Sequence, residues 1–168
     1  ETEKGDLMEI KIKGLKGGHS GLDIDKGRAN SIKLLARLLW ELNQETEAKV
    51  HLKDIEGGNK RNAIPREAKT WIKTSLEFEE LEKRLEDIFS DFEEEYSTTE
   101  PNMMLKVKQA ENEDNKIIPF DLSKKIIELI RALPHGVLFM SQEVPDLVRT
   151  STNLATISLQ DENLKIAL

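Results

Sequence analysis

The chain has 168 residues, of which 34% are charged and 38% hydrophobic, with a net charge of −7 and no cysteine, so it can bury a real core as one domain or two small halves. An acidic chain without a basic stripe is excluded from ordinary nucleic-acid binding, which rests on neutralising phosphates, and the missing cysteines exclude disulfides and thiolate metal sites while leaving a reducing, cytoplasmic setting open. No apolar run nears the ~20 residues of a membrane span, and no signal-peptide pattern opens the chain.

Residues 7–13 alternate, with Leu7, Glu9, Lys11 and Lys13 against Met8, Ile10 and Ile12, which predicts a half-buried strand. Next comes Gly17-Gly18-His19-Ser20-Gly21, a single histidine in a glycine-rich turn. Glycines on both sides permit unusual backbone angles and leave the imidazole uncrowded, a way to present a side chain. Taken alone, the same pattern also describes a plain loop. Residues 26–44 have Ile32, Leu35, Leu39 and Leu42 at helical spacing, with Asp25 as the expected N-cap. Residues 48–56 alternate again until Gly57-Gly58, and residues 67–75 predict a strand with Trp71 facing away from Ala68, Thr70, Ile72 and Thr74.

Phe78, Leu81, Leu85, Ile88, Phe89 and Phe92 mark an amphipathic helix whose acidic positions form its solvated side. Residues 103–109 predict another strand. Up to residue 110 the order is strand, helix, strand, strand, helix, strand. This is the ferredoxin-like βαββαβ order of an α/β (α+β) fold, an antiparallel sheet with two helices on one face. A short polar linker, residues 112–116, leads to a second part, residues 117–168. There Asp121 or Ser123 is expected to cap a helix ending at Pro134-His135-Gly136. A strand over 137–140 follows, then a hairpin of 153–160 with 164–168 across Asp161-Glu162. These strands are expected to extend the same sheet, and no internal repeat is visible. The chain opens with Glu1-Thr2-Glu3-Lys4 and stops in a strand pattern. It is therefore expected to be a piece of a longer protein.

The chemistry in the chain itself is sparse. Of the three histidines, His19, His51 and His135, none has a His-x-Asp or His-Glu-x-x-His spacing. His51 lies opposite Val50 and Leu52 in its strand and is expected to be exposed. His135 follows a helix end, where a cation would suit the dipole. Ser20 beside His19 makes no nucleophile pair, because sequence neighbours lack the geometry. Gly57-Gly58 is too short for a phosphate loop.

The order of the glycine-histidine turn, Asn30, Gly57-Gly58 and Arg61-Asn62-Ala63-Ile64-Pro65 resembles the lid (dimerisation) domain of the di-zinc aminopeptidase and carnosinase family. Thr150-Ser151-Thr152-Asn153-Leu154 and Leu133-Pro134-His135-Gly136-Val137 are similar to segments of its dipeptidase subgroup, which acts on dipeptides ending in histidine. The resemblance spans nearly the whole chain. It implies that two zinc ions and the general base belong to a separate catalytic domain, that this chain holds no metal, and that the fragment alone is inactive. It implies that His19 contacts the scissile carbonyl as an oxyanion develops and that Asn62 helps hold a dipeptide substrate. Arg61 and Asn153 are further candidates for substrate contact, each also open to a structural role. Partners implied are the parent's own catalytic domain and a second copy, through the lid. Arg149 departs from the subgroup, where an acidic residue is expected. Two alternatives stay open: the lid of a related N-acyl amino acid deacylase or desuccinylase, and a non-enzymatic ferredoxin-like interaction module.

Overall fold

The computed structural model describes residues 6–45, 49–111, 116–160 and 163–168. Residue 48, the linker over 112–115 and the Asp161-Glu162 turn lie outside the described residues, as do residues 1–5. The strands are β1 (Leu7–Lys13), β2 (Gly18–His19), β3 (His51–Gly57), β4 (Ala63–Ile64), β5 (Ala68–Lys73), β6 (Met104–Ala110), β7 (Gly136–Met140), β8 (Val148–Thr152), β9 (Thr156–Gln160) and β10 (Asn163–Ala167). The helices are α1 (Ser31–Glu45), α2 (Phe78–Glu95) and α3 (Phe120–Ala132).

Alternation in β1 fixes its register. Met8, Ile10 and Ile12 face the core and pair with Ile72, Thr70 and Ala68 of β5 on one side. On the other side they pair with Gln109, Val107 and Leu105 of β6. The six-stranded sheet runs β10-β9-β3-β5-β1-β6, and all its pairings are antiparallel. The four strands β3-β5-β1-β6 have the ferredoxin-like order expected from the sequence. The β9–β10 hairpin extends the sheet at the β3 edge. The three helices cover one face, with α1 over the central strands, α2 toward β6 and α3 toward β3. Leu35, Leu39 and Leu42 of α1 and Phe92 of α2 have no exposed surface. Each such side chain adds roughly 1.5–3 kcal/mol through burial.

The opposite face is charged. Lys11 pairs with Glu67 at 2.6 Å and Lys69 with Glu56 at 2.8 Å, and Lys69 sits over the Trp71 ring. These exposed pairs contribute little to stability. They do mark this face as one the chain itself leaves open.

Several local expectations are corrected. α1 begins at Ser31, not at residue 26, and its cap is Asn30 rather than the exposed Asp25. Asn30 Oδ1 accepts the Ile32 and Lys33 N–H groups at 3.0 and 3.3 Å. Neither Asp121 nor Ser123 caps α3, whose N-cap position is Pro119 with no side-chain bond. Ser123 is buried and its hydroxyl bridges elements, accepting from Leu52 N–H and donating to Ile118 O. His51 is buried, because the segment entering α3 covers it: Nδ1 lies 3.2 Å from Ile118 O and the ring packs on Phe120. β7 does not join the sheet. The β3 edge is taken by β9, so β7 pairs with β8 in a ribbon of its own. Asn153 and Leu154 form a buried link between β8 and β9 instead of starting a strand.

Candidate functional site

The glycine turn leaves the end of β1 and folds into a two-stranded ribbon with β4, pairing Gly18 with Ile64 and His19 with Ala63. This joins the two sequence motifs. Ser20 N–H donates to Asn62 O at 3.0 Å, so His19 and Asn62 are neighbours across the ribbon. Gly18 has φ +146°, and a Cβ there would sit 2.6 Å from Asp23 Oδ2. Only glycine fits this position.

Asp23 organises the turn from within. Its Oδ2 accepts His19 N–H at 2.8 Å, and its Oδ1 accepts from Lys26 Nζ at 2.5 Å. The Lys26 bond, then the His19 N–H bond, holds the Asp23 carboxyl below its ordinary value. Both effects favour the charged form. Arg28 donates to Gly17 O and lies 3.4 Å from Asp23.

His19 itself is exposed. Its Nδ1 accepts Gly21 N–H at 3.0 Å. A neutral imidazole that accepts at Nδ1 carries its proton on Nε2. The turn therefore offers an N–H donor at Nε2, which has no partner among the described residues. Asn62 and Arg61 are exposed beside it. Asn153 is different: it is 7% exposed and faces the loop's backbone. Its Nδ2 donates to Ala63 O at 2.9 Å and reaches Arg61 O at 3.5 Å. Of the four candidates, three are presented to solvent and Asn153 holds their loop. A cleft of about 730 Å³ opens between this loop and the charged face, lined by Gly18, Ala63, Arg66, Lys11 and Gly58 among others.

Beneath the site, Asn30 ties three elements together. Besides capping α1, its Nδ2 donates to Leu154 O at 2.8 Å and approaches His135 Nδ1 at 3.2 Å. Burial, then the nearby Lys33 charge, pushes the His135 ring down to about 4. His135 is therefore neutral at neutral pH and is not the cation expected at the end of α3. Lys33 takes that role, donating to Ile130 O at 3.0 Å, Leu133 O at 2.8 Å and Arg131 O. Burial, then Arg131, lowers the Lys33 ammonium from its ordinary value.

Sequence reasoning missed Asp23, Arg28, Lys33 and Glu100. Only Asp23 had a local signal, a short acceptor four residues after the histidine of a turn. Among the described residues, no three His, Cys, Asp or Glu side chains gather as a metal site. No helix among them is long and apolar enough to cross a membrane.

A ferredoxin-like sheet carrying a histidine on a glycine turn, beside an Asn-Ala-Ile-Pro ribbon, has a match among known families. Residues 10–100 match the peptidase dimerisation domain, and the chain belongs to that family. Peptidases of this family generally use metal ions. Over 162 residues the chain is 33% identical to the cytosol non-specific dipeptidase of Escherichia coli (strain K12), covering 96% of this chain and 33% of that protein. The crystal structure of aminoacylhistidine dipeptidase from Vibrio alginolyticus superposes with a TM-score of 0.88 at 30% identity, covering 96% of this chain and 33% of that one. The chain thus spans about a third of the length of these relatives.

Proposed function

We propose that this chain is the lid of a zinc-dependent dipeptidase, and that His19 binds the scissile carbonyl of the substrate. The observation that carries the reading is the bond from Gly21 N–H to His19 Nδ1, which commits the exposed Nε2–H as a donor. A donor fixed before reaction and aimed at developing negative charge stabilises the transition state more than the ground state. The Asp23 and Arg28 bonds hold the turn that carries it. Asn62, and with it Arg61, is positioned to contact the rest of a dipeptide from the same ribbon. Asn153 holds the loop through the carbonyls of Arg61 and Ala63, on either side of Asn62.

Two zinc ions in the parent's catalytic domain would polarise the carbonyl and supply hydroxide. This chain contributes the closing side: it binds, orients and excludes water. The lid is also the surface through which the parent forms a homodimer, as the family's description implies. A cytosolic location agrees with the name of one relative, a cytosol dipeptidase. The two relatives' names differ on specificity, one being non-specific and the other directed at aminoacylhistidine. We favour dipeptides with a C-terminal histidine, on the strength of the 0.88 superposition.

The test is kinetic, on the full-length parent loaded with zinc. His19→Ala should lower kcat for beta-alanyl-histidine by about 10²–10³-fold, the usual cost of losing one oxyanion donor, with zinc content unchanged. Wild-type kcat in the variant would make the turn a turn only. Activity confined to N-acyl amino acids would move the parent to the deacylases.

A further inference from the structure

Glu100 is 3% exposed, in the turn that follows α2. Its Oε2 accepts Lys16 N–H at 2.7 Å, and its Oε1 accepts Ala29 N–H at 3.1 Å. These amides lie 84 and 71 residues away in sequence. They are the two ends of the loop, residues 16–29, that carries His19. One carboxylate therefore closes the loop at its base.

Glu100 is itself immobilised. Its N–H donates to Tyr96 O at 2.7 Å, and its carbonyl accepts from Met103 N–H at 3.1 Å. The loop lies directly against the same turn. Gly14, just before it, has φ +84°, and a side chain there would run into Asn102 O. Gly27 lies opposite Thr99. Bonds from backbone N–H to a carboxylate are roughly twice as strong as neutral ones. Removing the carboxylate would leave two N–H groups unsatisfied, one of them on buried Ala29.

We propose that Glu100 is a positioning residue for His19. It clamps both ends of the His19 loop to the body of the lid, and so sets where the imidazole meets the substrate carbonyl. Asp23 shapes the turn, and Glu100 anchors it. Being buried, Glu100 touches no substrate and acts only through the loop. This rests on the reading of His19 as the carbonyl-binding group.

The experiment is a double-mutant cycle in the full-length parent: wild type, Glu100→Gln, His19→Ala and both together, with kcat and KM measured for each. Glu100→Gln keeps the shape but presents an amide NH₂ to one of the two N–H donors. A small displacement of a catalytic group costs up to about 100-fold, so Glu100→Gln should lower kcat by about 10- to 100-fold and leave KM little changed. In the His19→Ala background the same change should alter kcat by less than about twofold, because both act through one group. An equal loss in both backgrounds, or no loss in either, overturns the proposal while leaving His19 in place. Wild-type kcat in His19→Ala overturns the underlying reading as well. Should Glu100→Gln fail to fold, Glu100→Asp, which withdraws the carboxylate by one methylene, runs the same cycle with the same outcomes.

Discussion

Two ribbons stand off the main sheet. The β2–β4 ribbon has two residues in each strand, and the β7–β8 ribbon has five. By ladder length the second should be the better ordered. The bonding says otherwise. The short ribbon is tied by Asp23, Arg28, Asn153 and Asn62 O, and its loop by Glu100. The long ribbon leaves Leu138 55%, Phe139 44% and Met140 42% exposed, with Val144 and Leu147 at 50% and 51% on its connecting loop. Its firm attachment is at the base, where Asn30 meets His135 and Leu154. Order at the site is thus imposed by side chains arriving from distant sequence, not by the length of the local ladder.

The largest expected effect comes from attacking the short ribbon at its tightest point. Gly18→Ala places a Cβ 2.6 Å from Asp23 Oδ2 at φ +146°. Urea denaturation should show a loss of about 1–3 kcal/mol from backbone strain. In the parent, kcat should fall about 100-fold, since a displaced turn misplaces His19. Full activity in a destabilised Gly18→Ala would separate ribbon geometry from function.

Second in size is a pH effect at the root of the long ribbon. His135 is held down to about 4 in the folded chain, against an ordinary 6.5. As pH falls through that window the unfolded chain takes up the proton first, so stability is full above 6.5 and is lost toward 4. The loss should be at most about 2 kcal/mol, after allowance for solvent screening of a partly exposed ring. A denaturation series across the window, compared with His135→Gln, isolates this from carboxylate titration. Parallel curves for the two proteins would count against a buried neutral His135.

These contrasts also explain what could be read from the sequence. β1 and α2 were legible because their apolar residues repeat at periods of two and 3.6. The glycine turn was legible because glycine is a backbone statement in itself. What failed was decided at long range. The apolar spacing predicts a helix from residue 26, yet Ala29 N–H is spent on Glu100 and Asn30 takes the cap. Alternation predicts an exposed His51, but the segment covering it comes from 67 residues further on. Glu100 follows a run of surface acids and carries no local mark of burial. Asn62 could be named as a candidate, but its pairing with the histidine turn needed Ser20 N–H and Asn62 O to meet.

A smaller effect is expected at Asn153. Asn153→Ala removes two donated bonds to Arg61 and Ala63, but also a buried Oδ1 that has no hydrogen-bond partner among the described residues. The two changes oppose each other, so the cost should be about 1 kcal/mol, the low end for a buried bond. In the parent it should raise KM through Asn62 and Arg61 more than it lowers kcat. A kcat loss as large as that of His19→Ala would mean Asn153 reaches the reacting atoms.

The smallest effect belongs to the tip of the long ribbon. Leu138 is 55% exposed, so Leu138→Ser should change the stability of this chain by no more than about 0.5 kcal/mol. Phe139→Ser should cost slightly more, because Arg149 lies 5.8 Å from the ring, an exposed cation–π contact worth about 0.5 kcal/mol. Both should raise solubility, since adjacent exposed apolar residues promote association. Loss of more than about 1 kcal/mol at Leu138 would mean that the tip packs on something within the chain, and the contrast between the two ribbons would fail. If the tip is energetically silent here yet the same substitution weakens the full-length parent, the tip is buried by the rest of that protein. The two ribbons would then differ in kind. One is fixed by its own domain, and the other is completed by its surroundings.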